Sequence, residues 1–529
     1  KLLGARARLQ PTLEEDDGLK NPVTAPSSLK PQPQSARLAE NKEAIGGMRN
    51  PLRSLDFVPG HIEVGKMIAA ILDEILEERP HIVTTVENSI GVEKGRAPAL
   101  KDYDIRVAQE RMADYLEADL HDNPGLTEVC APLLKAWQRA ARDPDSHVIA
   151  WLYSGAPAGI DEHPVSVGIF PPSEVPPTLD FDLTFAEGYN DYNYISMDES
   201  PYSREVLGDL VKNGYVTKCA NIGEAMQLLN GKRPVVSKGA LISKMKDGIM
   251  KHRLILDCRV SGANSATHKW ERILLPRAWD LVKDAMRLKR AAVAQGADTH
   301  LTYFVCDVTD AFYKVPLAAE EQQYFTLCYQ GEYYIWRRVG QGSLNGPTLF
   351  GRLAAMIGRI SQSVLDPNVA SIQLYVDDPI VTIRGTPAEV RHVVAKLVLL
   401  WRALGFDLAT HKAQLGPRVN WIGYEVADSA LDTTLSIKKT FMEELLKDTQ
   451  GLSNKNVVGR RALRSYTGRC NHVANLLFAW RPFMDTLWAA VTQSERDQKR
   501  SWAPKGMLWT RHIRQSLRWI STFLQGSQD

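Results

Sequence analysis

Ser371-Ile-Gln-Leu-Tyr-Val-Asp-Asp-Pro-Ile-Val-Thr-Ile383 is the stretch on which the fold turns. Two runs of apolar and β-branched residues flank a bare Asp377-Asp378 pair, which predicts a β-hairpin with both carboxylates at its turn. An Asp-Asp turn is common and usually structural. Here both flanks read as buried, so the adjacent charges repel each other and lose hydration, two costs that a bound divalent cation offsets. A second run, Thr302-Tyr-Phe-Val-Cys-Asp-Val-Thr-Asp-Ala-Phe-Tyr313, carries an apolar strand straight into Asp307. Alone, Asp307 reads as an N-cap or turn residue. Beside the hairpin it completes a three-carboxylate cluster, the donor set that two-metal phosphoryl transfer requires.

Around this centre, 250 or so residues from about Pro176 to Val426 alternate short strand-like runs with helical stretches, an α+β texture. The strand runs are Arg253–Leu256, Thr302–Cys306, Tyr333–Trp336, Ile372–Val376, Ile380–Ile383 and Trp421–Val426. Upstream the signal is helical: Met67, Ile68, Ile71, Leu72, Ile75 and Leu76 share a face that Pro80 ends, and more helix is expected over 105–120 and 131–142. After Leu435 it is helical again, with Leu463, Tyr466, Cys470, Val473 and Leu477 on one face and a final basic helix from Met507 to Leu524. The first 56 residues are rich in Pro, Ser, Lys and Glu without an apolar period and read as a disordered linker.

Composition narrows the functional classes. The chain of 529 residues has a formal net charge of only +2, which argues against a wholly cationic coating protein. It leaves room for a basic groove balanced by acidic surface elsewhere, and basic residues far outnumber acids from Lys232 to Arg290. The six cysteines are scattered without C-x-x-C spacing, so reduced intracellular thiols are expected, not a disulfide framework or zinc knuckle. No apolar run reaches the roughly 18 residues of a membrane span, and the N-terminus has no signal-peptide stretch. Residue 1 is Lys, which reads as an excerpt of something longer.

The order of the segments resembles the polymerase motifs of reverse transcriptases from LTR-type and related retrotransposons. Tyr375-Val-Asp-Asp378 resembles the third motif, and Asp307 with Phe312 the first. Val339-Gly-Gln-Gly-Ser-Leu-Asn-Gly-Pro-Thr-Leu-Phe350 resembles the second, Gly405-Phe-Asp-Leu with Lys412 the fourth, and Trp421-Ile-Gly-Tyr424 the fifth, the primer grip. Lys246-Asp-Gly and Arg253-Leu-Ile-Leu-Asp-Cys-Arg259 look like the fingers segment. Motif centres from the first to the fourth lie roughly 35 residues apart, and the likeness covers about Arg204 to Val491.

The resemblance implies a right-hand polymerase: fingers and palm over 176–435, the palm βαββαβ-like and antiparallel, then a thumb or connection over 436–495. A helical domain over 57–175 precedes it, and a C-terminal helix over 496–529 would tether an RNase H domain beyond the chain. The implied reaction is RNA-directed DNA synthesis within a retrotransposon polyprotein, on an RNA template and DNA primer with dNTPs, inside the cell in cytoplasm or nucleus. Asp307, Asp377 and Asp378 would hold two Mg²⁺ or Mn²⁺ ions, and Lys412 would act as a general acid toward pyrophosphate. Lys246 and Arg253 would clamp the triphosphate. Phe312 would act as a steric gate against a 2′-hydroxyl, with Gln341, Gly342 and Tyr375 lining the nucleotide pocket. Trp421, Gly423 and Tyr424 would position the primer end, while Arg460, Arg461, Arg464 and Arg469 would meet the duplex backbone. Core packing for the aromatics and solvated surface for the basic residues are the competing readings.

Pro379 departs from the family pattern, because its ring removes a ladder donor beside the Asp pair. The Gly-Gln-Gly-Ser form of the second motif leaves the clade open. Two rival functions also stay open: an RNA-dependent RNA polymerase, and a catalytically inactive remnant that binds nucleic acid.

Overall fold

The structure, a computed structural model, describes residues 60–92, 100–173, 192–246, 249–430, 432–492, 503–504 and 506–526, all within one unit spanning Gly47–Asp529. The linker expected over 1–56 lies outside them. The described chain opens with helices α1 (Gly60–Glu78), α2 (His81–Ser89), α3 (Asp102–Leu116), α4 (Ala131–Ala141) and α5 (Ser146–Ser154). Pro80 ends the first apolar run as expected, and it also opens α2, since its φ of −62° already suits a helix start. Helix α5, not anticipated, begins where the Asp145 carboxylate accepts the Val148 N–H at 3.2 Å.

Helices α6 (Ser203–Lys212) and α7 (Ile222–Leu228) flank the strands β1 (Val216–Cys219), β2 (Val236–Lys246) and β3 (Ile249–Asp257). Helix α8 (Ala278–Ala294) leads to β4 (Leu301–Val305), β5 (Thr326–Tyr329) and β6 (Glu332–Trp336). Helix α9 (Gly346–Ser363) precedes the hairpin β7 (Ala370–Tyr375) and β8 (Asp378–Arg384), and α10 (Pro387–Ala403) leads to β9 (Gln414–Gly416). The palm sheet runs β7-β8-β4-β9, every neighbour antiparallel. In chain order it is β4, α9, β7, β8, α10, β9, the expected βαββαβ arrangement. The fingers sheet runs β1-β6-β5-β2-β3, with β5 and β6 inserted between β4 and α9.

The palm strands alternate between two cores, as period-two geometry requires. Phe304, Ile372, Leu374, Val381 and Ile383 face the core shared with α9 and α10. Tyr303, Val305 and Ile380 face the opposite core with Leu281, Ala285 and Leu288 of α8. Helices α1 to α5 do not close on a core of their own. Ile68, Leu72, Ile75, Leu134 and Trp137 belong to the same cluster as Phe350, Leu353 and Leu399. The expected boundary near 175 therefore follows the chain, while the packing runs across it.

Beyond the palm, β10 (Arg418–Trp421), β11 (Tyr424–Asp428) and β12 (Thr433–Ile437) form a separate antiparallel sheet. Helices α11 (Lys439–Ser453), α12 (Arg460–Leu476) and α13 (Arg481–Thr492), the strand pair β13 (Val457–Gly459) and β14 (Met507–Trp509), and α14 (Arg514–Gly526) complete the thumb. Leu508, Leu517, Ile520 and Leu524 are buried with Leu445, Leu463 and Trp480 in one core. Of the C-terminal helix expected over 496–529, the described residues 506–526 thus pack as part of the thumb, because the apolar face of α14 closes its core. The final basic helix is also shorter than expected, since Met507–Trp509 pairs as a strand with 457–459. Among the described residues no helix is long and apolar enough to cross a membrane, and all six cysteines are buried.

Candidate active site

Tyr375 pairs with Asp378 across the hairpin, leaving Val376 and Asp377 as the two turn residues. Val376 has φ of 54°, the left-handed region that a β-branched side chain disfavours. Such strain, on the order of 1–3 kcal/mol, persists only where surroundings over-determine it. Here they do. The Asp377 carbonyl accepts the Val308 N–H at 2.9 Å, and the Asp378 carbonyl accepts the Trp421 indole N–H at 3.0 Å. Tyr375 meets the Trp421 ring edge-on with centroids 6.5 Å apart. The Cys306 N–H donates to the Pro379 carbonyl at 3.4 Å, and proline has no N–H to return. The β4–β8 ladder accordingly stops at Val305 and Ile380.

This pairing brings Asp307, at the exit of β4, beside the hairpin turn. Burial raises the pKa of Asp377 and the Asp307 charge raises it further, while Arg253 and Lys412 act the other way. The Lys412 ammonium forms an ion pair with the Asp307 carboxylate. Cys306, the residue that follows β4, is pushed well up by burial and then by the charges of Asp307 and Asp378. The three carboxylates and two cations thus share one electrostatic neighbourhood. Among the described residues, no three acidic, histidine or cysteine side chains are drawn together so as to hold a metal ion. The expected cluster of Asp307, Asp377 and Asp378 is therefore not closed up as a three-carboxylate site, in keeping with the mutual repulsion of its charges. The donor chemistry nonetheless fits a hard dication, since Asp307 and Asp377 offer only oxygens and repel each other without one.

Arg253 lies on β3 opposite Ile242, and its charge reaches both Asp377 and Tyr313. Lys246 ends β2 opposite Ile249, at the far end of the same hairpin. Phe312 sits half-buried in the turn Ala311–Lys314, edge-on to Phe350 with centroids 5.8 Å apart. Gly342 has φ of +117°, and a Cβ there would meet the Leu256 carbonyl oxygen at 1.9 Å. The Gln341 carbonyl accepts the Leu256 N–H at 3.2 Å. Asn264, not singled out by the sequence, clamps this loop by donating to the Gly342 carbonyl and accepting from Leu344 N–H, both at 2.9 Å. Gly342→Ala is expected to lower stability by roughly 1–3 kcal/mol, read by denaturant unfolding.

Trp421 pairs with Tyr424, and the two residues between them, Ile422 and Gly423, both have positive φ, 43° and 87°. That is the turn whose twist matches a two-residue hairpin. A Cβ on Gly423 would meet the His472 ring at 2.9 Å. The Tyr424 hydroxyl donates to the His472 carbonyl at 2.7 Å, and the two rings stack with centroids 4.3 Å apart. Sequence reading missed His472, which docks this hairpin on the thumb. On α12, Arg461 and Arg464 are exposed and Arg460 is half-buried at its start. Arg469 turns instead to α11, donating to Asp448 at 2.6 Å with its guanidinium 5.5 Å from the Phe441 ring centre.

Residues 242–426 match the sequence model of the family described as reverse transcriptase (RNA-dependent DNA polymerase). The Pro-Pol polyprotein of simian foamy virus type 1 is 24% identical over 189 residues, 36% of this chain and 15% of the viral protein. Among solved structures, a foamy viral protease-reverse transcriptase in complex with double-stranded DNA aligns at 18% identity, covering 67% of this chain and 52% of that one, with a TM-score of 0.43. The same kind of protein in complex with an RNA/DNA hybrid aligns at 16% identity, 80% and 46% coverage, and a TM-score of 0.41. Over residues 242–426 the chain is thus similar to reverse transcriptases, and it spans 15% of the Pro-Pol polyprotein and about half of the foamy viral proteins that it matches.

Proposed function

We propose that the chain is a template-directed DNA polymerase, adding dNTPs to a primer 3′-end on an RNA and then a DNA template. The observation that carries this reading is the convergence of Asp307, at the exit of β4, on Asp377, in the β7–β8 turn, close enough for one charge to raise the pKa of the other, with Arg253 and Lys412 acting the other way. Asp307, Asp377 and Asp378 would hold Mg²⁺ or Mn²⁺, which when bound supplies the positive charge that phosphoryl transfer requires at the attacking and leaving oxygens. Arg253 and Lys246 receive the triphosphate. Lys412 neutralises charge that develops on the departing pyrophosphate. The Trp421–Tyr424 turn supports the primer end, and Arg461 and Arg464 meet the duplex backbone with sequence-independent charge.

Primer extension on poly(rA)/oligo(dT) with Mg²⁺ tests the reading. Incorporation of dTTP by the unmutated chain is expected, and its absence would leave a nucleic-acid-binding remnant as the better account. Phe312, packed on Phe350, supports selection of deoxynucleotides at the sugar. Phe312→Ala is expected to relax discrimination against ribonucleotides by roughly 10- to 200-fold, the range set by a change in pocket volume. Competition between dTTP and UTP measures it. Preference for UTP by the unmutated chain would favour an RNA-synthesising polymerase.

A further inference from the structure

A polar joint centred on one buried lysine ties the N-terminal helices to the loop that carries Lys412. Loop 405–412 follows α10 and runs alongside the exit of β4. Leu408 bridges Val308, the Thr309 N–H donates to the Asp407 carbonyl at 2.8 Å, and the Ala409 N–H donates to the Asp307 carbonyl at 2.8 Å. The segment between α3 and α4 grips the other side. There the Cys130 N–H donates to the Leu404 carbonyl at 3.0 Å. Gly405, with φ of +88°, lies so close that a Cβ would meet the Glu128 carbonyl oxygen at 2.0 Å.

At the centre sits Lys314, whose side chain is 3% exposed, with its ammonium 3.4 Å from Glu128 Oε2 and 3.7 Å from Asp407 Oδ2. Arg338 donates one guanidinium nitrogen to both Glu128 oxygens at 2.8 Å, and Arg402 pairs with Asp407. A buried ammonium is costly unless paired, so the geometry of Glu128 and Asp407 is bound to that of Lys314. The Glu128 side chain itself is 43% exposed and borders a cleft of about 380 Å³. Replacing it with an amide of the same shape therefore leaves no void.

We infer that Glu128 is a positioning residue for the proposed polymerase reaction: through Lys314 and Asp407 it fixes loop 405–412, and so holds Lys412 against Asp307. The N-terminal helical layer thereby contributes to a reaction centre that it does not touch. This rests on the polymerase reading, and the test separates the two.

In steady-state primer extension by the full chain, Glu128→Gln is expected to lower kcat about tenfold, in keeping with the cost of misplacing a group remote from the chemistry. The KM for dTTP and the affinity for primer–template should stay within about twofold, because uniform binding is untouched. Lys314→Met should behave alike, and Lys314→Arg should restore most of kcat. In a Lys412→Ala background, Glu128→Gln should cost nothing more, since the group that it positions is gone. Equal losses in both backgrounds, or an unchanged kcat, overturn the inference. A second readout needs no turnover: amide hydrogen exchange over 405–412 should quicken in Glu128→Gln and Lys314→Met but not in Lys314→Arg. Unchanged exchange overturns the inference even if the unmutated chain incorporates no nucleotide, an outcome that would sink the polymerase reading itself. If Glu128→Gln fails to fold, Asp407→Asn is read in the same assays.

Discussion

Asp377→Asn is expected to abolish primer extension and, in the same protein, to make the fold more resistant to heat. The first effect follows from removing a charged oxygen at the proposed ion site, and losses of at least ~10²–10³-fold are typical when one preorganised electrostatic group is deleted. The second follows from linkage. Burial and the Asp307 charge raise the pKa of Asp377 above its ordinary value. Between the unfolded and folded pKa values the native state holds more protons than the unfolded state, so stability falls as pH rises through that window. Above the window the full penalty for ionising Asp377 is present, and an uncharged amide does not incur it. Thermal unfolding at pH 7 in EDTA should show a higher midpoint for the variant, with the difference shrinking as pH falls toward the ordinary carboxylate range. A variant that is inactive but no more stable would mean that the carboxylate is comfortable where it lies.

Such a residue, costly to the fold, is also what made the site legible. The bare Asp pair between apolar flanks stood out because nothing in packing asks for it, and the β4–β8 pairing then brought Asp307 beside it. The palm strands were equally readable, since period-two apolar runs bounded by turns have few other uses. Elements that depend on partners distant in sequence were not. His472 sits on a thumb helix whose periodicity says only that it is partly covered, and no local signal ties it to Gly423, 49 residues away by the numbering. Asn264 clamps Gly342 from a loop without strand or helix signal. The N-terminal helices were visible as helices, but their destination was not, because an amphipathic face records that it is buried and not against what. Arg469 shows the converse limit: a basic residue on a helix reads as a backbone contact until its acidic neighbour on another helix is known.

The largest expected loss of stability lies far from the carboxylates, between the N-terminal helices and α9. Arg352 and Arg359 are seven residues apart, on one face of that helix, and their side chains are 1% and 2% exposed. Arg352 donates to both oxygens of Asp145, at 2.8 and 2.5 Å, and Arg359 to both of Asp143, at 2.7 and 2.9 Å. The Trp137 indole N–H donates to His61 Nδ1 at 3.1 Å, so the proton of His61 resides on Nε2, which donates to Asp143 at 2.7 Å. His61 is therefore neutral, and burial lowers its pKa. Burial works to raise the pKa of Asp143, but the Arg359 charge and the His61 hydrogen bond overcome it and hold the carboxyl well below its usual range. Arg359→Met keeps most of the side-chain volume but leaves Asp143 with only neutral partners, the His61 Nε2–H and the Asp145 N–H, a change that costs about 3–5 kcal/mol for a buried pair. Replacing both members, as Asp143→Leu with Arg359→Met, should cost less than Arg359→Met alone, because no buried charge is then stranded. The pH dependence distinguishes this from a packing defect. In the unmutated chain both groups hold lowered pKa values, so stability falls as pH drops below the ordinary histidine range and again through the carboxylate range. In Arg359→Met the stranded Asp143 gains from protonation, so the gap between variant and parent should narrow on acidification. A constant gap in denaturant unfolding from pH 8 to pH 5 would assign the loss to packing instead of charge.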